Sequence, residues 1–103
     1  MRESDIQTAV MDMLGFHPKV AWAMVTTSGT IRGKGGGRYF HVGFPGLSDI
    51  LFQTRSGRLG ALEIKKPGQL PTKEQLAFLS LVESNGGIAG WADSVEMAKR
   101  ILE

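Results

Sequence analysis

Cysteine is missing from all 103 residues of the chain. Its absence removes disulfides, thiolate nucleophiles and cysteine-based zinc sites together, and a reducing cytoplasm is the expected compartment. Histidine is nearly missing too. His17 and His41 stand alone, without the paired spacing of a metal site, and read as structural or surface residues. No apolar run approaches the ~20 residues that a membrane span needs, and the N-terminus lacks a signal-peptide pattern. No membrane partner is expected. Ser28 and Ser48 have no evident base to complete a nucleophilic triad, which argues against acyl-transfer chemistry. Acidic residues are sparse through the middle of the chain, whereas cations there are not.

At this length the chain supports one core and not two. Hydrophobic residues at 42% and charged residues at 21% are ordinary for a folded domain. The net charge of +2 is mild, so its distribution matters more. Arg32, Lys34, Arg38, Arg55, Arg58, Lys65, Lys66 and Lys73 crowd the middle, while most acids lie towards the ends. Clustered cations are the footprint of a polyanionic partner. A solvated basic face is the plain alternative.

Along the chain, SDIQTAVMDMLG puts Ile6, Ala9, Val10, Met13 and Leu14 at helical spacing. Ser4 and Gln7 fit a capping box, and Gly15 is the expected stop. Glu3 falls on the core-facing side of that helix, an odd place for a carboxylate without a task. AWAMVTT has the composition of a strand. The glycine- and cation-rich SGTIRGKGGGRYFHVGFPG reads as a long loop or an irregular ribbon. Its glycines let backbone approach a phosphate closely, making Arg32, Lys34 and Arg38 candidate backbone contacts. A nucleotide phosphate loop it is not. Three residues rather than four separate Gly29 from Gly33, and Gly35 stands where Ser or Thr should follow the lysine. No nucleotide cofactor is expected.

Further on, PTKEQLAFLSLVESNGG predicts a helix capped by Thr72, with Leu76, Leu79 and Val82 inward and a stop at Gly86-Gly87. IAGWA is a short strand, and DSVEMAKRILE a last helix capped by Asp93 or Ser94. Trp22 and Trp91 fall in strand patterns and are assigned to the core. The resulting order, α-β-β-β-α-β-α, predicts an α/β fold: one mixed sheet flanked by helices in a single compact domain.

The stretch SDILFQTRSGRLGALEIKK carries the chemistry. It reads as a hairpin, and a three-residue loop Arg55-Ser56-Gly57, with glycine in the left-handed position, sets its register. Thr54 then pairs with Arg58, and counting back sets Asp49 opposite Glu63. Side chains so paired have Cβ atoms about 5 Å apart. Lys65, two residues on, joins them on the same face. Ile50, Phe52, Leu62 and Ile64 point the other way, into a core. A loop of two or four residues would separate the acids.

Adjacent carboxylates repel unless a cation neutralises them. Mg2+ or Mn2+ suits the task, being oxygen-seeking and content with one or two carboxylates plus water and phosphate oxygens. Such a site can activate water against a phosphodiester, with Lys65 placed to offset phosphate charge. The alternative is a structural Asp–Lys–Glu ion pair at a sheet end.

Asp49, thirteen further residues and then EIK resemble the signature of the PD-(D/E)xK nucleases. The PG-x-SD and PTKEQ segments, Glu3 and the glycine-rich stretch narrow the resemblance to the VRR-NUC branch of virus-type replication-repair nucleases, over nearly the whole chain. This resemblance implies a restriction-endonuclease-like fold and metal-dependent DNA hydrolysis. It implies Glu3, Asp49, Glu63, Lys65 and Gln75 as catalytic residues. Asp49, Glu63 and the Ile64 backbone carbonyl would hold Mg2+ or Mn2+, with Glu3 a further candidate ligand. Ser48 departs from the pattern, standing where the superfamily has proline. Small members of the branch are similar to homodimeric four-way junction resolvases of bacterial or phage-infected cells, whereas larger relatives act on flaps. Arg32, Lys34, Arg38, Lys66 and Lys73 become candidate DNA contacts. Gln75 keeps a second reading, because Thr72-x-x-Gln75 is itself a capping box.

Overall fold

Alternation of apolar residues along two consecutive segments builds the centre of the molecule. The computed structural model describes residues 2–26, 29–32, 39–42 and 44–103, the two short middle pieces as backbone only. Strands β4 (Ile50–Thr54) and β5 (Leu59–Ile64) form an antiparallel hairpin. Its loop is the three-residue turn expected from Arg55-Ser56-Gly57. Thr54 N donates to the Arg58 carbonyl at 2.9 Å, Gly57 N donates to the Thr54 carbonyl at 2.9 Å, and Gly57 has φ of 92°. A Cβ at Gly57 would meet nothing, so the positive φ is what selects glycine there. The pairs Ile50–Leu62 and Phe52–Gly60 follow, and they extend to Asp49 opposite Glu63.

Strand β1 (Val20–Val25) pairs antiparallel with β4, and β6 (Ile88–Ala92) pairs parallel with β5. The four-stranded sheet therefore runs β1-β4-β5-β6 and is mixed. Helix α1 (Glu3–Phe16) precedes β1, α2 (Lys73–Ser84) crosses from β5 to β6, and α3 (Val95–Ile101) follows β6. The single domain is a mixed sheet flanked by helices, in the order read from the sequence. The glycine-rich segment also contributes a two-stranded ribbon, β2 (Gly29–Arg32) and β3 (Tyr39–Val42), paired antiparallel.

Two cores lie on opposite faces of the sheet. On one, Ile50, Phe52, Leu62 and Ile64 pack with Ile6, Val10 and Leu14 of α1 and with Ala98 and Leu102. On the other, Ala61 of β5 packs under Phe78, Leu79 and Val82 of α2, with Leu47, Leu51, Ala89 and Trp91 partly buried beside them.

Several local expectations are corrected. Trp22 is not core but 46% exposed. A bulge between Val20 and Trp22 shifts the register, so Val20 pairs with Thr54 on the α1 face whereas Trp22 pairs with Gln53 on the α2 face. Leu76 is 48% exposed, and Phe78 takes its place in the core, because the buried stripe of α2 begins at Gln75 and runs on through Leu79 and Val82. Helix α1 begins one turn-fraction earlier than its sequence signal. Arg2 is the N-cap residue, and its N–H donates to the Asp5 carboxylate at 3.2 Å, so the Ser4–Gln7 box is not formed. Gly15 lies inside the helix, which ends at Phe16 before His17 and Pro18. Of the alternative caps for α3, Ser94 is used, its hydroxyl accepting from Met97 N at 3.2 Å.

Candidate active site

Glu63 lies near the C-terminal end of β5, next to the core, with 2% of its surface exposed. A carboxylate buried so deeply needs partners, and it has them. Asp49 N donates to Glu63 Oε1 at 3.1 Å, and Gln75 Nε2 donates to Oε2 at 2.6 Å. Lys65 Nζ stands 3.7 Å from Oε2. Asp49 is tied to the same strand end, its Oδ2 accepting from Ile64 N at 2.9 Å. The chain just before Asp49 is anchored as well. Thr26 N donates to the Asp49 carbonyl at 2.8 Å, and the fully buried Ser48 gives its hydroxyl proton to the Ile50 carbonyl at 2.9 Å. Ser48 is thus a structural residue.

Two elements bring Gln75 to this point. Its Oε1 accepts from Thr72 N at 2.8 Å, and Thr72 Oγ1 accepts from Gln75 N at 3.2 Å. The capping box and the contact with Glu63 therefore coexist: one end of the amide holds the helix start while the other holds the carboxylate. The segment leading to Asp49 docks on the same first turns of α2. The Phe44 ring lies 5.6 Å from that of Phe78, and Leu47 joins the α2 core. Gly46 has φ of 75°, and a Cβ there would overlap the backbone of Glu74. The PG dipeptide, met in the sequence as part of a motif, has the further task of seating α2. Only the close approach of two distant segments reveals it.

Charge in this cluster is balanced unevenly. Burial pushes the Glu63 carboxyl up to about 8, from an ordinary 4.5. That value already includes a smaller rise from the neighbouring Asp49 and a partial offset from Lys65. Hard oxygen donors side by side are the donor chemistry that suits Mg2+ or Mn2+.

The remaining site candidates are spread more widely. Glu3 opens α1 and lines a shallow cleft of about 480 Å3 with Arg2, Asp5, Lys66 and Gln69. Of the cluster's residues none lines that cleft, and Lys66 follows Lys65 in the chain. Among the described residues no three His, Asp or Glu side chains gather as one metal-ligating group. Lys66 and Lys73 are exposed, Lys73 at the first position of α2. Arg32 lies on β2 with its side chain outside the described residues, and Lys34 and Arg38 lie outside them entirely. His17 follows α1, its Nδ1 accepting from Lys19 N at 3.1 Å, a structural role as expected. Compared with family models, with curated proteins and with solved structures, the chain matches none.

Proposed function

We propose that the protein is a divalent-metal-dependent DNA endonuclease of the VRR-NUC type, hydrolysing phosphodiester bonds by water attack. The observation that carries the reading is the meeting of Asp49, Glu63, Lys65 and Gln75 at one end of the sheet, from three separate segments. A purely structural ion pair has no need of the second carboxylate, which raises the cost of burying the first.

Asp49, Glu63 and the Ile64 carbonyl would hold Mg2+ or Mn2+. When bound, the cation would lower the pKa of a water and neutralise charge on the phosphate. The chain's own groups do the rest. Ile64 N–H and Asp49 N–H orient the two carboxylates, and Gln75 fixes the rotamer of Glu63. Lys65, largely buried beside Glu63, offsets phosphate charge. Lys66 and Lys73 extend the cationic surface, and Arg32, Lys34 and Arg38 are proposed to add to it. We take the active form to be a homodimer, because symmetric cutting of a four-way junction needs two sites and this chain supplies one. The cytoplasm of a bacterial or phage-infected cell is the proposed setting. No helix among the described residues is long and apolar enough to cross a membrane.

The test is cleavage of labelled duplex, flap and four-way junction DNA in EDTA, Mg2+ or Mn2+. Metal-dependent cutting abolished by Lys65→Ala is the expected result. A second reading has one observation in its favour: both oxygens of Glu63 already hold hydrogen bonds, and its carboxyl is pushed up to about 8. That suits a DNA-binding module in which the acid is a protonated structural group. Binding without cleavage on every substrate would select it.

A further inference from the structure

On the α2 side of the sheet, helix α2 packs over β5 and β6, and β1 carries Trp22 and Met24 there, 46% and 47% exposed. Trp22 is tied to the neighbouring strand. Its Nε1 donates to Gln53 Oε1 at 2.8 Å, so the ring is oriented while much of its surface stays bare. Gln53 and Asp49 lie four residues apart on one face, about 13 Å along the strand. The indole, Met24 and the acid–lysine cluster therefore share one face.

Charge argues for what lies along this path. Neither β1 nor β4 contains an acidic residue. Beyond Trp22, at the turn end, stand Lys19 and Arg55, joined by Arg55 N donating to the Lys19 carbonyl at 2.9 Å. Arg55 Nε donates to the Pro18 carbonyl at 3.1 Å and Lys19 Nζ to the Leu102 carbonyl at 3.1 Å. Among the described residues neither cation forms an ion pair, although Glu83 and Glu103 line the same cleft. An apolar protein surface seated here would desolvate these cations at one end and the Asp49–Glu63–Lys65 cluster at the other. A nucleic-acid strand offers phosphates to the cations and base faces to the indole. Thirteen ångströms corresponds to roughly four stacked nucleotides at ~3.4 Å each.

We infer that Trp22 is a stacking platform for an unpaired base of a nucleic acid whose backbone runs from Lys19 and Arg55 to the Asp49–Glu63 site. Bases in a duplex hide their faces from such a ring, whereas a single-stranded or branched segment presents them. Trp22 would then select for unpaired DNA. The inference rests on the reading under Proposed function.

The experiment is a fluorescence titration of the Trp91→Phe variant, in which Trp22 is the sole tryptophan, with a short single-stranded oligonucleotide in EDTA. Binding is followed in parallel by anisotropy of a label on the DNA. Trp22 emission should be quenched in step with the anisotropy. Trp22→Ala should weaken single-strand binding roughly 5- to 100-fold, and Trp22→Phe should retain most of it. Should Trp91→Phe fail to fold, the difference between the wild type and Trp22→Phe isolates the same emission. Binding without quenching, or an unchanged affinity in Trp22→Ala, would overturn the platform and leave the nuclease reading standing. Loss of a dimer in Trp22→Ala with DNA affinity intact would assign the face to a second copy and overturn it equally. Failure of the wild type to bind any DNA would instead overturn the reading beneath it.

Discussion

The two faces of the β4–β5 hairpin follow opposite rules. On one, Ile50, Phe52, Leu62 and Ile64 are wholly buried among the apolar residues of α1 and α3. On the other, one residue out of step, the same strands end in Asp49, Glu63 and Lys65. The first face stabilises in proportion to the apolar area it removes from water. The second buries a carboxylate, which costs stability unless each partner stays in place. A hairpin with a period of two can therefore separate folding from chemistry across a single backbone, and changes on one face should spare the property carried by the other.

The largest expected effect lies on the apolar face. Phe52→Ala should destabilise the domain by about 3–5 kcal/mol in urea unfolding, while molecules that remain folded keep their DNA affinity. A loss below about 1 kcal/mol would blur the contrast. On the polar face, Lys65→Ala should lower the cleavage rate at least about a hundredfold, leave DNA binding nearly unchanged and cost far less stability than Phe52→Ala. Full activity in that variant would remove the lysine from the mechanism. Asp49→Asn should likewise keep the fold, since an amide oxygen can still accept from Ile64 N, but lose divalent-metal binding by calorimetry.

The pH dependence of stability sharpens the comparison further. The folded Glu63 carboxyl holds its proton up to about 8, against an ordinary 4.5. Its stabilising contribution is therefore full below the lower value and is lost as pH rises through the higher one, a span worth a few kcal/mol. Melting temperatures in EDTA should fall from pH 5 to pH 8, and Glu63→Gln should flatten that slope. An identical slope in the variant would mean that another group controls it. Smallest is the contrast between neighbours on α2. Gln75→Ala, which strips Glu63 of one partner and Thr72 N of its acceptor in the capping box, should cost about 1–3 kcal/mol. Leu76→Ala, at a half-exposed position, should cost less than about 1 kcal/mol.

Legibility in the sequence tracked how local each cause was. The hairpin register was readable because a glycine-bearing three-residue turn dictates pairing for every residue that follows. Hence the turn alone sets Asp49 opposite Glu63. Trp22 was misplaced because a bulge is a property of two strands together, and no composition signal in AWAMVTT marks it. Leu76 was misplaced because a helix with apolar residues on several sides does not state which stripe faces the sheet. In the sequence, Gln75 fits both a cap and a site residue. It is the structure that joins the two, by turning the first residue of the buried stripe towards Glu63.

By itself the sequence determined the order of elements, the hairpin and the acid pair, since turn chemistry and apolar period act over a few residues. Tertiary structure decided which carboxylate is buried and which side of β1 carries Trp22. Those outcomes depend on how α2, the Pro45-Gly46 segment and the bulge in β1 pack together, and packing between segments far apart in the chain leaves no periodic trace in any one of them.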